Sequence, residues 1–221
     1  MKAWRVNELG HPSASLHLED VDTPEPGPGE ILVRVEATTV NFADILLCQG
    51  IYQDRPGVPL TPGLEAFGTV EAVGPGADAA LGTRMGGMSA LPAGGYAEYA
   101  LLRANGALAF PESMPATDAT VMYSTYQTSH VALHHRAGLQ AGEWLLVHAG
   151  AGGVGSAAVQ LGVAAGARVI ATAGSDEKRA ICRELGARHV IDYRNEDLYA
   201  AVRDITGAGV DVVYDLSLIH I

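Results

Sequence analysis

The hydrophobic positions follow two different periods along the chain. From Glu30 to Val40 apolar and polar residues alternate, with Ile31, Val33, Val35 and Ala37 on one side and Arg34, Glu36 and Thr38 on the other. This is the period of a half-buried strand. A second short apolar segment runs from Phe67 to Val73. Turn residues cut up the surrounding sequence, at Pro24 to Gly29, Gly74-Pro75-Gly76, Gly86-Gly87 and Gly94-Gly95. Short strands separated by such turns predict a compact, barrel-like β domain.

Near Ala119 the pattern changes, and from Trp144 it alternates strand with helix. A buried strand is expected over Trp144–His148, followed by a helix whose inner face carries Val154, Ala157, Ala158, Leu161 and Ala165. Val169–Ala171 is the second strand. Ser175 then caps a helix with Ile181 and Leu185 inward and Gly186 just past its end. Val190-Ile191 is the third strand. Leu198, Ala201, Val202 and Ile205 share the next helix face, which stops at Gly207, and Val210–Tyr214 is the fourth strand. This alternation predicts an α/β fold with a parallel, doubly wound sheet and helices on both faces. The expected division is a β domain over 1–122 and an α/β domain over 123–215.

Charge and cysteine content exclude several functions. The formal charge is −11, which argues against a general nucleic-acid binder or an anionic-membrane binder. Most of it lies in residues 1–122, at −9, leaving −2 for residues 123–221, the half more tolerant of an anionic ligand. Cys48 and Cys182 make neither a disulfide framework nor a four-cysteine zinc site, and they suit a reducing compartment. From Trp144 to Ala167 no Asp, Glu, Lys or Arg occurs, a length able to span a bilayer. Its many glycines, His148 and Gln160 fit a soluble strand, turn and helix better. His130 and His134 stand at i, i+4 with His135 beside them, but without a nearby acid a structural or surface role is expected.

The strongest chemical signal is Gly150-Ala151-Gly152-Gly153-Val154-Gly155, which fits G-x-G-x-x-G between a buried strand and a helix. In this context Gly150 makes the tight turn, Gly152 lets backbone approach a pyrophosphate, and Gly155 lets helix and strand pack closely. The helix N-terminus adds free N–H groups and a positive dipole end. After the second strand the chain reads Ala173-Gly174-Ser175, without the acid that holds a ribose 2′-hydroxyl in NAD sites. A small residue, a hydroxyl and Lys178 one turn on suit a 2′-phosphate, with a solvated surface lysine as the alternative. Asp176 and Glu177 read as favourable first-turn carboxylates.

With these residues in view, the chain resembles the medium-chain dehydrogenase/reductase superfamily, and within it the zinc-free NADPH:quinone oxidoreductase (zeta-crystallin-like) family. The resemblance rests on Val40 to Asp44, Gln49 to Tyr52, Thr61 to Glu65, Gly95 to Tyr99, His148 to Gly162 and Val190 to Tyr193. It implies a GroES-like first domain, a Rossmann second domain and NADPH held by Gly152, Gly153 and Val154. Ser175, Lys178 and Tyr193 would surround the adenosine phosphate, and Thr128 would lie beside the nicotinamide. Asn41 and Tyr52 would orient the acceptor. The zinc enzymes of the superfamily carry Cys and His where this chain has Asn41 and Leu64, so no metal site is expected. Without a Lewis acid, the implied substrate is a quinone or similar activated carbonyl. An enoyl-thioester or enone reductase and a non-catalytic NADPH-binding protein remain alternatives. A cytoplasmic homodimer is the implied parent. The stretch 216–221 resembles no family segment and matches the translation of a transposon-derived sequencing adapter, so a truncated chain with a non-native tail is expected.

Overall fold

The computed structural model describes residues 1–216; the expected non-native tail, apart from Leu216, lies outside the described residues. The chain divides into two compact units, Met1–Ser124 and Thr125–Ile221.

In the first unit the elements are β1 (Lys2–Val6), α1 (Pro12–Ser15), β2 (Leu16–Asp20), β3 (Glu30–Thr38), α2 (Phe42–Cys48), β4 (Glu65–Val73), β5 (Arg84–Met88), β6 (Tyr99–Arg103), β7 (Leu108–Ala109) and α3 (Ala116–Val121). β1 and β2 form a hairpin, and the other strands form an antiparallel sheet of order β6-β3-β4-β5-β7. On one face of β3, Ile31 and Val33 join Ala66, Val70, Met85, Ala100 and Leu102 in a core. Simple alternation fails at Leu32, which is also buried, packed with Ala90 and Leu101 on the other face. The strand is therefore covered on both sides. It ends at Thr38, two residues short of the expected Val40, whose side chain is exposed.

A π-helical segment, Met122–Tyr126, runs across the division between the units and leads into a short helix, α4 (Gln127–His130), and a second π-helical segment, Val131–Arg136. Then follow β8 (Trp144–Val147), α5 (Gly153–Ala164), β9 (Arg168–Thr172), α6 (Asp176–Glu184), β10 (His189–Ile191), α7 (Leu198–Thr206) and β11 (Val212–Tyr214). The sheet is parallel with order β10-β9-β8-β11, the doubly wound arrangement expected from the alternation. Period-two alternation sorts its faces. Leu145, Val147, Val169 and Ala171 meet α5 and α6 through Ala158, Val159 and Cys182. Leu146, Ile170 and Ile191 meet α7 through Val202. Burying each such aliphatic side chain contributes about 1.5–3 kcal/mol.

The helix ends follow their sequence signals. Ser175 accepts from Lys178 N at the start of α6, and Asp197 accepts from Ala200 N at the start of α7. Gly186 and Gly207 take left-handed φ beyond those two helices. The fourth strand begins at Val212 instead of Val210. Asp211 instead turns its carboxylate to Trp144 N, 2.7 Å away. The uncharged stretch from Trp144 to Ala167 is split into β8, a turn and the twelve-residue α5. Among the described residues no helix is long and apolar enough to cross a membrane.

Candidate active site

The Gly-rich turn joins β8 to α5. Gly150 N bonds Thr172 O at 2.9 Å and Ala149 N bonds Thr172 Oγ1 at 3.2 Å, pinning the turn to the end of β9. A Cβ on Gly155 would stand 2.2 Å from Ala149 O, so only glycine lets the helix close on the turn. At Gly153, by contrast, a Cβ would meet nothing within 4 Å. The first bond into the helix is Ser156 N to Gly152 O. The N–H groups of Gly153, Val154 and Gly155 therefore precede it without an intrahelical acceptor. Close packing beneath the turn and open space at the helix N-terminus together fit a pyrophosphate.

Thr128 is exposed on α4. Its neighbour Ser129 is fully buried and ties α4 to the turn, with Oγ 2.9 Å from Val154 O, 3.0 Å from Thr125 O and 2.9 Å from Tyr214 Oη. Burial raises the phenol pKa of Tyr214, opposed by the hydrogen bond with Ser129.

At the end of β9 the structure brings Gly174, Ser175 and Tyr193 together. A Cβ on Gly174 would fall 2.6 Å from Tyr193 Oη and 2.8 Å from Arg194 Nε. Lys178 is exposed one turn into α6. The acid at Asp176 is paired with Arg179, which also grips Asp192. The amide of Asn195 first, with Arg179 adding, holds the Asp192 carboxyl below its ordinary range.

In the first unit Asn41 sits at the N-cap of α2 and heads a buried polar network. Its Nδ2 donates to Thr39 Oγ1 at 2.8 Å and to Glu65 Oε1 at 3.2 Å. Both amide hydrogens are thereby committed, and the side chain also accepts from Asp44 N in the α2 capping box, which leaves one lone pair of Oδ1. Thr39 Oγ1 also donates to Glu65, and Ser124 N reaches Glu65 Oε2 at 2.8 Å. Burial first, with Asp44 adding, raises the Glu65 pKa against these three donors. Asp44 accepts from Asn41 N, Gly63 N, Leu64 N and Tyr96 Oη, fixing the approach of the Thr61–Glu65 segment. Burial and Asp44 push the Tyr96 phenol far above its ordinary range.

Tyr52 lies apart from this network. Its ring packs against Val6, Leu47, Cys48 and Leu60, and its hydroxyl makes no hydrogen bond among the described residues. Cys48 and Cys182 are buried free thiols, their pKa values raised by burial. The rings of His130 and His134 lie 4.7 Å apart. Among the described residues no group of three or more His, Cys, Asp or Glu is placed to hold a metal. Sequence reasoning missed Thr39, Glu65, Ser129 and Tyr214 as members of these buried networks, and Arg194 as a neighbour of Gly174. The available signal was polarity in apolar surroundings, as at Glu65 between Leu64 and Ala66-Phe67.

Residues 27–112 match the alcohol dehydrogenase GroES-like domain and residues 153–220 match the family described as zinc-binding dehydrogenase. The human quinone oxidoreductase is 34% identical over 98% of this chain and 66% of its own length. A mycocerosic acid synthase-like polyketide synthase of Mycobacterium tuberculosis is 38% identical over 90% of this chain but only 9% of its own. A mycobacterial structure complexed with NADPH superposes with a TM-score of 0.89 at 36% identity, covering 97% of this chain and 66% of that one. The chain thus spans about two-thirds of the quinone oxidoreductases it matches and a small part of the synthase. The GroES-like β unit, the parallel sheet of order β10-β9-β8-β11 and these matches together place the chain in the quinone oxidoreductase family of the medium-chain dehydrogenase/reductase superfamily.

Proposed function

We propose that this protein is an NADPH-dependent reductase that passes hydride to a quinone or similarly activated carbonyl without a metal. The observation that carries this reading is the open cradle at Gly153, at the N-terminus of a twelve-residue helix and above a turn packed too tightly for any side chain at Gly155. The NADPH of the mycobacterial structure and the activity named for the human relative support the choice of cofactor and acceptor.

The nicotinamide, when bound, supplies the hydride. The chain's own groups hold and orient. Backbone N–H groups of Gly153, Val154 and Gly155, with the α5 dipole, take the pyrophosphate alongside Gly150 and Gly152. Ser175, Lys178 and Tyr193 around Gly174 take the adenosine 2′-phosphate, and Thr128 borders the nicotinamide. Asn41, its amide hydrogens turned inward, accepts a hydrogen bond from a ligand N–H or O–H. The unpartnered Tyr52 hydroxyl is the donor that orients the acceptor oxygen.

A second reading, an enoyl-thioester reductase, is favoured by the identity to the polyketide synthase segment. Following NADPH fluorescence after mixing with a simple quinone, and separately with a crotonyl thioester, tests both. Oxidation by the quinone supports the first reading and oxidation only by the thioester the second. Binding without oxidation by either would leave a non-catalytic NADPH-binding protein.

A further inference from the structure

We infer that Arg194, together with Lys178, reads the 2′-phosphate at the end of β9, and that the neighbouring Arg179 does not. This rests on the dinucleotide reading above and names the selectivity residue within it.

Three cations surround the Gly174-Ser175 corner, and their partners distinguish them. Arg179 is committed: one guanidinium nitrogen bonds Asp192 and another bonds Asp176, with the side chain 17% exposed. Its charge is balanced twice over. Asp192 is itself occupied, accepting from Asn195 Nδ2 and Arg194 N besides Arg179. The Arg194 guanidinium makes no hydrogen bond or ion pair among the described residues, and neither does the Lys178 ammonium. The remaining nearby acids are Glu177, exposed on α6, and Glu196, which turns back to accept from Asp192 N at 2.6 Å.

Position points the same way. Arg194 Nε lies 2.8 Å from where a Cβ on Gly174 would stand, with Tyr193 Oη at 2.6 Å. The missing side chain at Gly174 lets a planar guanidinium and a phenol reach over the strand end, where the adenosine ribose of a dinucleotide sits in this fold. A guanidinium presents paired N–H donors that match a phosphate bidentately, while an ammonium acts as a point charge. Two uncommitted cations complement a phosphomonoester dianion. A ribose 2′-hydroxyl offers them no charge.

The test is calorimetric titration of the chain and its Arg194→Gln, Arg194→Lys, Lys178→Ala and Arg179→Gln variants with NADPH, NADH and 2′,5′-ADP, with circular dichroism as the folding control. Arg194→Gln is expected to weaken NADPH and 2′,5′-ADP by about 10- to 100-fold, the worth of a charge-assisted contact, and NADH by less than about threefold. Arg194→Lys should recover part of the loss. Arg179→Gln should leave the NADPH-to-NADH ratio unchanged. Equal weakening of both dinucleotides by Arg194→Gln overturns the assignment, as does an unchanged ratio in Arg194→Gln when Lys178→Ala alone abolishes it. Wild-type protein that binds both dinucleotides equally, or neither, defeats the NADPH reading itself, and is seen before any variant is made.

Discussion

Replacing Glu65 by glutamine separates charge from shape at a carboxylate that is 1% exposed. In the wild type, Oε1 accepts from Thr39 and Asn41, and Oε2 accepts from Ser124 N. No Lys, Arg or His pairs with it among the described residues, and the acid Asp44 adds repulsion. Burial dominates, so the folded-state pKa stands above the unfolded one. The folded protein therefore holds this proton more tightly than the unfolded chain. The resulting stability is fully present below the unfolded pKa and is lost as pH rises through the folded value. Each unit of separation is worth about 1.4 kcal/mol. Glutamine cannot ionise. It sets an N–H against one of the donors and loses about one buried hydrogen bond, about 1–3 kcal/mol, at every pH. The wild type should thus be the more stable protein in acid, and its advantage should shrink, or reverse, as pH rises. Urea unfolding of both proteins from about pH 4 to about pH 8 measures that difference with the other titrating groups cancelled. An advantage that grows with pH would refute the reasoning, because the three donors would then outweigh burial.

Two glycine substitutions should split fold from binding. Gly155→Ala drives a Cβ to within 2.2 Å of Ala149 O and should lower stability by about 1–3 kcal/mol in thermal melts, whereas Gly153→Ala meets no protein atom, should melt within about 1 kcal/mol of wild type, and should weaken NADPH in titrations. Ser129→Ala leaves the Tyr214 hydroxyl without its buried partner and should cost about 1 kcal/mol or more in urea unfolding. Tyr52→Phe should slow quinone reduction in steady-state assays while NADPH affinity stays near wild type, since it removes a donor and no packing. A chelator should leave turnover unchanged; chelator-sensitive turnover with stoichiometric zinc on elemental analysis would overturn the metal-free reading.

What was legible in the sequence tracks how local each interaction is. The β10-β9-β8-β11 sheet could be read because each strand carries its own apolar run and each helix its own cap and stop, as at Ser175 and Gly186. The Gly-rich turn was legible for the same reason: strand, turn and helix adjoin. The burial of Leu32 on the far side of β3 was not, because its cover comes from Ala90 and Leu101. Glu65 illustrates the same limit. Its partners Thr39, Asn41 and Ser124 lie 26, 24 and 59 residues away, and no periodicity links them. The commitment of the Asn41 amide follows from those contacts, so the sequence could supply the residue but not which of its atoms are already engaged. Among the cations of the β9 corner, Lys178 was visible from its spacing after Ser175. Which arginine stands free depends on where Asp176 and Asp192 fold.

The Ser129 hydroxyl has one hydrogen to give and two carbonyls within reach, Thr125 O at 3.0 Å and Val154 O at 2.9 Å, while Tyr214 Oη can satisfy its lone pairs. Both carbonyls already belong to helical backbone, so either can go without the serine. The hydroxyl consequently has two near-equivalent orientations, one toward its own helical run at Thr125 O and one toward α5 at Val154 O. If the first turn of α5 draws away from α4, the serine hydrogen lost from Val154 O still has an acceptor in Thr125 O, an exchange that a residue with a single fixed donor direction could not make.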